Sequence, residues 1–309
     1  MTLPIIQKIK LNNFSWIDIS RSSLEEMEYL KKNFDFHPVH LNDCFSSIQR
    51  PKFDLTSDYA FLVLIFPIYN RKTRKIVSSE IDFFIGRDYL LTVHRGELLP
   101  LINFFNLCQV DQTEKEKYFT GDSAALIHGI LQRLFSHCVP ILDYFNLSIG
   151  NIEELIFKGY EKKMVKEILL AKINIVNFRR IMQSHRAVIS QLLKKNNLFI
   201  KTDDLKLYFD EILETNGDIW NVLENLKQNI EAIENTNNSL ISFELNDIIK
   251  ILTIVSFLIL PITLIANIFG MNLKFMPLIN SPISFWAIIG LMIAVLVSLI
   301  FYFKKRNWL

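Results

Sequence analysis

Five polar residues without charge lie in or just before an apolar segment near the C-terminus of the chain. They are Asn246, Thr253, Ser256, Thr263 and Asn267. At ~100° per residue they fall on one face of a helix, within an arc of roughly 100°, and Ile249 and Leu260 share that face. An amide against lipid is costly and must face protein or water. The face is therefore either a packing surface between membrane helices or the wall of a wet pathway.

Two stretches near the C-terminus are apolar and long enough to cross a membrane. Ile251 to Phe269 gives 19 residues without a charge, and Ile283 to Phe303 gives 21. At about 1.5 Å per residue, either helix roughly crosses a hydrocarbon layer of ~30 Å. The whole chain is 50% hydrophobic with a mean hydropathy of +0.23, which is high for a soluble protein. We predict two transmembrane helices within residues 251–303, joined by an outer loop at 270–282.

The flanking charges predict the orientation of these two helices. Lys304, Lys305 and Arg306 begin a basic tail at 304–309, and Lys250 precedes the first span, whereas the loop holds only Lys274. The positive-inside rule then places both chain ends in the cytoplasm.

Three cysteines without paired spacing suit a reducing compartment, and a net charge of +2 predicts no nucleic-acid partner.

Residues 1–115 predict an α/β domain. Residues 60–66 read as a buried strand, and 81–85 and 89–93 flank Gly86-Arg87-Asp88 as a hairpin. The polar stretch 109–117 is predicted to be a connection to the next domain.

Residues 116–250 are predicted to form a helical domain and stalk, because no proline occurs between Pro140 and Pro261. From Leu205 a row repeats at alternating spacings of four and three: Leu205, Phe209, Ile212, Asn216, Ile219, Leu223, Leu226, Ile230, Ile233, Asn237 and Leu240. This row, the seam, either joins several chains as a coiled coil or packs on the chain's own helices. No helix breaker separates it from the first span, so residues 202–269 are predicted to be one helix.

Two spans cannot enclose a pore, so a wet pathway requires several chains around a closed axis. The polar face holds no carboxylate and no cation, and apolar rings at Ile249 and Leu260 are suited to gating by dewetting. Mg²⁺ releases its water reluctantly, and neutral oxygens can hydrogen-bond its hydration shell without trapping the ion. The polar face alone does not distinguish Mg²⁺ from other hydrated cations.

The sequence around the end of the first span resembles the CorA family of magnesium channels. The similar residues are Leu260 to Asn272, which end in Gly270-Met271-Asn272, followed by Met276-Pro277. Gln49-Arg50-Pro51-Lys52, the strand that follows at 58–64 and the basic tail are also similar to that family, so the resemblance covers nearly the whole chain.

The resemblance implies an α+β membrane protein, in which a cytoplasmic α/β domain and a long helical stalk lead into the first of two C-terminal transmembrane helices. It also implies a homopentamer in the inner (cytoplasmic) membrane. This homopentamer is expected to pass Mg²⁺, and related divalent ions such as Co²⁺ or Ni²⁺, under control of intracellular Mg²⁺. Gly270, Met271 and Asn272 would form the selectivity filter, with the Asn272 amide binding hydrated Mg²⁺.

The residues expected to line the pore combine the resemblance with the polar face: Asn246, Ile249, Leu252, Thr253, Ser256, Leu260, Thr263 and Asn267. Glu211 matches a stalk aspartate that the family uses to sense Mg²⁺, and Asn70 is a candidate match for its acidic partner. The chain departs from the family after the triplet, where Leu278 and Ile279 replace an acidic continuation.

Two other functions stay open at this point. One is a zinc transporter of the same fold, and the other is a membrane-anchored sensor or adaptor. A tether needs neither a polar face nor Asn272, which argues against the adaptor. No nucleophile–base arrangement and no phosphate-binding loop is visible, so the sequence does not predict an enzyme.

Overall fold

The computed structural model describes residues 6–20, 24–46, 49–121, 123–195, 205–271, 283–306 and 308. The chain forms two compact units, Met1–Glu234 and Asn235–Leu309. The predicted fold class is confirmed: the first unit is a mixed α/β structure, a long helix follows, and the C-terminal helices are apolar.

The first unit contains one six-stranded sheet. Its strands are β1 (Ile6–Leu11), β2 (Phe14–Ser20), β3 (Lys52–Leu55), β4 (Ala60–Asn70), β5 (Lys75–Ile85) and β6 (Tyr89–His94). Their order is β1-β2-β6-β5-β4-β3, and only β2 and β6 run parallel. The predicted hairpin is confirmed, because β5 and β6 pair directly on either side of Gly86. A side chain on Gly86 would collide with the ring of Tyr89, whose nearest atom lies 2.2 Å from the Cβ position.

Helices account for most of the chain. They are α1 (Leu24–Asn33), α2 (Pro38–Phe45), α3 (Leu99–Val110), α4 (Gln112–Tyr118), α5 (Ala124–Ser136), α6 (Cys138–Phe157), α7 (Glu161–Met182), α8 (His185–Lys195), α9 (Leu205–Gly270) and α10 (Ile283–Lys305). The prediction of one unbroken stalk and membrane helix is confirmed by α9, which has 66 residues.

Both faces of the sheet are covered by helices, which explains why consecutive residues of β4, β5 and β6 are buried. On one face, α1 and α2 bury a cluster that includes Leu30, Phe36 and Phe84. On the other face, the ring of Trp16 packs between Phe104 and Phe105 of α3, with centroid distances of 5.5 and 4.8 Å. The sheet is therefore packed against helices on both of its faces.

The structure adds detail at two helix ends. The stretch 109–117, predicted as a connection, is largely helical, and Asp111 caps α4 by accepting hydrogen bonds from the backbone N–H groups of Thr113 and Glu114. Lys304 and Lys305, at the start of the predicted basic tail, lie in the last turn of α10. Both helix ends contain polar residues because caps and terminal charges stabilise them.

A carboxyl group is buried inside the sheet at Asp82 of β5. Its side chain is 2% exposed, and its Oδ1 accepts no hydrogen bond from the described residues. Burial raises the pKa of Asp82 well above its usual range, and the nearby carboxylate of Glu80 raises the pKa further. Folding therefore favours the protonated form of this group.

We expect Asp82→Asn to increase stability at about pH 8, with the gain shrinking towards about pH 4. A carboxyl whose pKa rises on folding costs stability as the pH climbs above its unfolded pKa, because folding must then take up a proton. An amide does not ionise and lacks that cost. Thermal unfolding of the detergent-purified protein across this range measures the difference. Asp58→Asn, in an exposed turn, is the control, and parallel profiles for the parent and Asp82→Asn would contradict the prediction.

Candidate functional site

The second unit exposes two apolar helices. The apolar window of α9 is 6% buried and that of α10 is 0% buried, although both are long and apolar enough to cross a membrane. The described residues contain a third candidate of this kind, Ala124–Phe157, but 67% of its window is buried in the first unit. Burial thus distinguishes the core helices α5 and α6 from the two helices that require an apolar solvent.

Helix α10 covers one side of α9. Ile254 and Phe303 are 4% and 6% exposed, and the rings of Phe257 and Phe303 meet edge to face with centroids 6.4 Å apart. The rings of Phe303 and Trp308 also stack, with centroids 6.0 Å apart. By helical geometry the centre of this contact lies roughly 110° around α9 from the centre of the polar face. The second span therefore leaves the polar face uncovered.

The predicted pore-lining residues lie together on that uncovered face. Thr253 is half-buried, and the other seven are exposed: Asn246, Ile249, Leu252, Ser256, Leu260, Thr263 and Asn267. A face this polar does not suit contact with lipid.

The hydroxyl groups of this face have a defined direction that the sequence alone did not indicate. Each donates to the backbone carbonyl four residues earlier: Thr253 to Ile249 at 2.7 Å, Ser256 to Leu252 at 2.9 Å and Thr263 to Ile259 at 2.9 Å. Their protons are therefore used within the helix, and the lone pairs of the oxygens remain as acceptors. The water molecules around a cation point their protons outward, so this surface matches a hydrated cation.

Pro261 leaves one backbone carbonyl of α9 without its helical donor, a feature that sequence reasoning missed. Proline has no backbone N–H, so the carbonyl of Phe257 lacks its usual helical donor. The sequence contained the signal for this free carbonyl, because a proline inside a helix always removes the backbone hydrogen bond to the residue four positions earlier.

The triplet begins at the end of α9. Gly270 is the last residue of the helix, Met271 is 55% exposed, and Asn272 lies outside the described residues, as do residues 273–282. Gly270 does not adopt a positive φ, and a Cβ at this position would meet no atom of the described residues within 4 Å. Packing against the described residues therefore does not explain why this residue is glycine.

The seam packs on the chain's own helices. From Phe209 to Ile230 its apolar residues are at most 2% exposed. Side chains of α5 and α7 contact this part of α9. Arg179 of α7 contacts Glu224 and stacks over Trp220 at 5.1 Å. The seam thus forms part of the core of the first unit. This packing explains its apolar spacing without a coiled coil between chains.

Glu211 is bonded within its own chain. His128 Nε2 donates to Oε2 at 3.1 Å, and Gln132 Nε2 donates to Oε1 at 3.0 Å. The Glu211 side chain is still 53% exposed. The described residues contain no group of three or more His, Cys, Asp or Glu side chains able to hold a metal ion.

Asn70, the candidate partner of Glu211, has a structural role within this chain. Its Oδ1 accepts hydrogen bonds from the backbone N–H groups of Lys72 and Thr73, at 3.0 and 3.1 Å. The structure of one chain does not bring Asn70 and Glu211 together through any hydrogen bond or ion pair among the described residues.

The sequence matches the family described as CorA-like Mg2+ transporter protein over residues 12–305. A relative from Thermotoga maritima, named cobalt/magnesium transport protein CorA, is 23% identical over 96% of this chain and 83% of its own length. A relative of the same name from Methanocaldococcus jannaschii is 22% identical over 99% of this chain and 95% of its own.

A solved structure confirms the fold over nearly the whole length. It is the complete structure of the CorA magnesium transporter from Methanocaldococcus jannaschii, which matches with a TM-score of 0.84 and 22% identity. The match covers 97% of this chain and 94% of that one.

We expect Thr263→Val to lower divalent-cation flux at least about fivefold, which corresponds to the loss of one hydrogen bond of ~1 kcal/mol. Valine has the shape of threonine without the acceptor oxygen. Thr263→Ser keeps the oxygen and is the control. Uptake of Mg²⁺ into proteoliposomes measures the effect, and equal flux through the valine and serine variants would remove Thr263 from the pathway.

Proposed function

This chain belongs to the CorA-like Mg2+ transporter family, and we propose that it conducts hydrated Mg²⁺ through a pore made by several copies of the chain. Family membership confirms that the protein is a membrane transporter of divalent cations and not an enzyme. The observation that carries the finer proposal is the uncovered polar face of α9, whose hydroxyl oxygens are turned outward as acceptors.

The oligomer follows from the number of spans and from the exposure of that face. Two helices do not enclose a channel, and a closed ring of chains places one copy of α9 per chain around a common axis. The resemblance favours five copies. The seam no longer supports this step, since it is buried within one chain.

The absence of charge on the polar face favours a hydrated cation over a dehydrated one. Hydroxyl and amide oxygens hydrogen-bond the water shell, whereas carboxylates on the wall would hold a divalent ion too tightly for rapid passage. Exposed side chains of Ile249, Leu252 and Leu260 provide the apolar rings of a gate. Asn272 is proposed as the outer ligand of the hydrated ion, with Gly270 and Met271 beside it.

Cobalt is a second proposed cargo, because two relatives are named for cobalt and magnesium together. A zinc transporter of the same fold is the weaker alternative, because these two relatives are named for cobalt and magnesium and not for zinc. A sensor or adaptor that only anchors to the membrane does not require outward acceptors along a spanning helix. The proposed location is the inner membrane, with both chain ends in the cytoplasm, on the basis of the basic residues at 304–306.

We expect Asn272→Ala to reduce Mg²⁺ flux in proteoliposomes to the level of empty liposomes, because the amide contact with the water shell is lost. Asn280→Ala changes another amide of the predicted outer loop and should transport normally. Native mass measurement checks that all variants form the same oligomer. Normal flux through Asn272→Ala would contradict the assigned role, and a parent protein found only as a monomer would contradict the pore.

Control by intracellular Mg²⁺ is proposed at Glu211. Its exposed carboxylate can share an ion with carboxylates of a neighbouring chain, and the bound ion would then remove their repulsion and hold the closed state. Such binding competes with the hydrogen bonds from His128 and Gln132, which favours a weak site suited to millimolar Mg²⁺.

We expect Glu211→Ala to conduct at internal Mg²⁺ concentrations that shut the parent, with inhibition shifted upward at least about tenfold in concentration. Glu214→Ala, an exposed neighbour on the same helix, is the matched control. Currents measured against internal Mg²⁺ give the shift. Unchanged inhibition would exclude Glu211, and an equal shift in His128→Ala would assign the effect to the bond between α5 and α9.

A further inference from the structure

A cleft of about 750 Å³ lies beside the turn between β4 and β5, within the first unit. Its walls include Tyr69, Arg71, Arg74, Glu97, His137 and Tyr144. Sites for small molecules typically enclose ~300–1,000 Å³ and combine apolar walls with a few polar groups. The cleft has both properties, and the transport function does not use it.

The cleft exists because one hairpin extends beyond the rest of the sheet. Strands β4 and β5 pair over 11 residues each, whereas β6 pairs only with Ile81–Ile85 of β5. The far half of the hairpin therefore lies beyond β6, where α6 supplies the opposite wall through His137, at its N-terminal end, and Tyr144.

The turn of this hairpin is held in one conformation. Asn70 Oδ1 accepts hydrogen bonds from two consecutive backbone N–H groups of the turn. Asn174 of α7, 2% exposed, accepts from the N–H of Ile76 at 2.9 Å and donates to the carbonyl of Arg74 at 2.8 Å. The basic side chains of the turn thus start from a fixed backbone.

The turn carries an excess of positive charge. Residues 71–75 include Arg71, Lys72, Arg74 and Lys75, and all four are exposed. Glu167 neutralises only Arg74, through two hydrogen bonds of 3.1 and 2.5 Å. Within the described part of the chain the other three form no ion pair. A guanidinium without a partner, in a cleft wall, suits a phosphate group.

The opposite part of the wall suits a planar ring. Tyr69 and Tyr144 lie with ring centroids 5.0 Å apart and hydroxyl oxygens 3.1 Å apart, and Tyr144 remains 41% exposed. Leu99 adds an apolar surface that is 61% exposed. Burial lowers the pKa of His137, so its imidazole is neutral at neutral pH and offers an uncharged ring.

We propose that this cleft binds a nucleoside polyphosphate, with Arg71 on the phosphates and the Tyr144 ring against the base. A simple polyanion would need the basic turn alone and would gain nothing from the aromatic wall. The carboxylate of Glu97 disfavours a ligand that is anionic throughout, and it can accept hydrogen bonds from sugar hydroxyls or a base amino group. The cleft thus offers Arg71 to the phosphates of a nucleotide, and Tyr144 and Glu97 to its base and sugar.

The test is titration calorimetry on the full-length protein in detergent, at constant Mg²⁺. The probes are ATP, inorganic tripolyphosphate and adenosine. Arg71→Ala should weaken ATP binding at least about tenfold, because a charge-assisted hydrogen bond is lost. Tyr144→Ala should weaken it by about fivefold or more, whereas Tyr144→Phe keeps the ring and should bind nearly as well.

The control variant is Arg87→Ala, which removes the same charge from the turn at the opposite end of β5 and should bind ATP like the parent. The proposal is overturned if ATP does not bind at millimolar concentration, or if Arg71→Ala and Arg87→Ala behave alike. If tripolyphosphate binds as tightly as ATP, the cleft is only a polyanion site and the base is not recognised. If adenosine binds as tightly as ATP, the phosphates are not recognised and Arg71 has no role in binding them. Calorimetry measures binding and not ion flux. A failure of the transport proposal would therefore not change the result of this test.

Discussion

Polar groups at the depth of a membrane must find partners in the protein or in water, and this requirement governs the C-terminal unit. The threonine and serine hydroxyls of α9 meet it by donating to carbonyls of their own helix. The same bond leaves each oxygen as an acceptor on the helix surface. A helix can therefore be stable in a membrane and still present a surface for hydrated cations, without any charged side chain.

The long helix α9 changes character along its length because its surroundings change. Between Phe209 and Ile230 one apolar row is buried by α5 and α7, and charged residues flank it, as in the contact between Lys172 and Glu234. Beyond residue 250 the apolar residues surround the helix except on the polar face. One continuous backbone thus serves a protein core in one part and a membrane in the other.

The α/β unit uses asparagine where a backbone must be fixed without adding charge. Asn70 and Asn174 together hold a turn that carries four basic side chains. If carboxylates performed the same task, they would neutralise the turn. Because the asparagines add no negative charge, the Arg71 guanidinium stays available to a ligand, whereas Arg74 is already bonded to Glu167.

The sequence alone determined whatever depends on local periodicity and composition. Uncharged stretches of 19 and 21 residues identified the two apolar helices, and the absence of a breaker predicted the continuity of α9. Two short apolar stretches on either side of Gly86-Arg87-Asp88 identified the hairpin of β5 and β6. The polar face was visible as well, because helical geometry places residues of known spacing on one side.

Only the tertiary structure decided which partner each surface meets. The spacing of the seam fits a second chain as well as the chain's own α5 and α7, and packing alone assigns it to the latter. Glu211 was visible as an exposed stalk acid, but its bonds to His128 and Gln132 join residues about 80 positions apart. The cleft at Arg71 likewise brings together a turn and α6 from distant parts of the chain. Contacts of this kind depend on how whole elements pack, and no local pattern in the sequence encodes them.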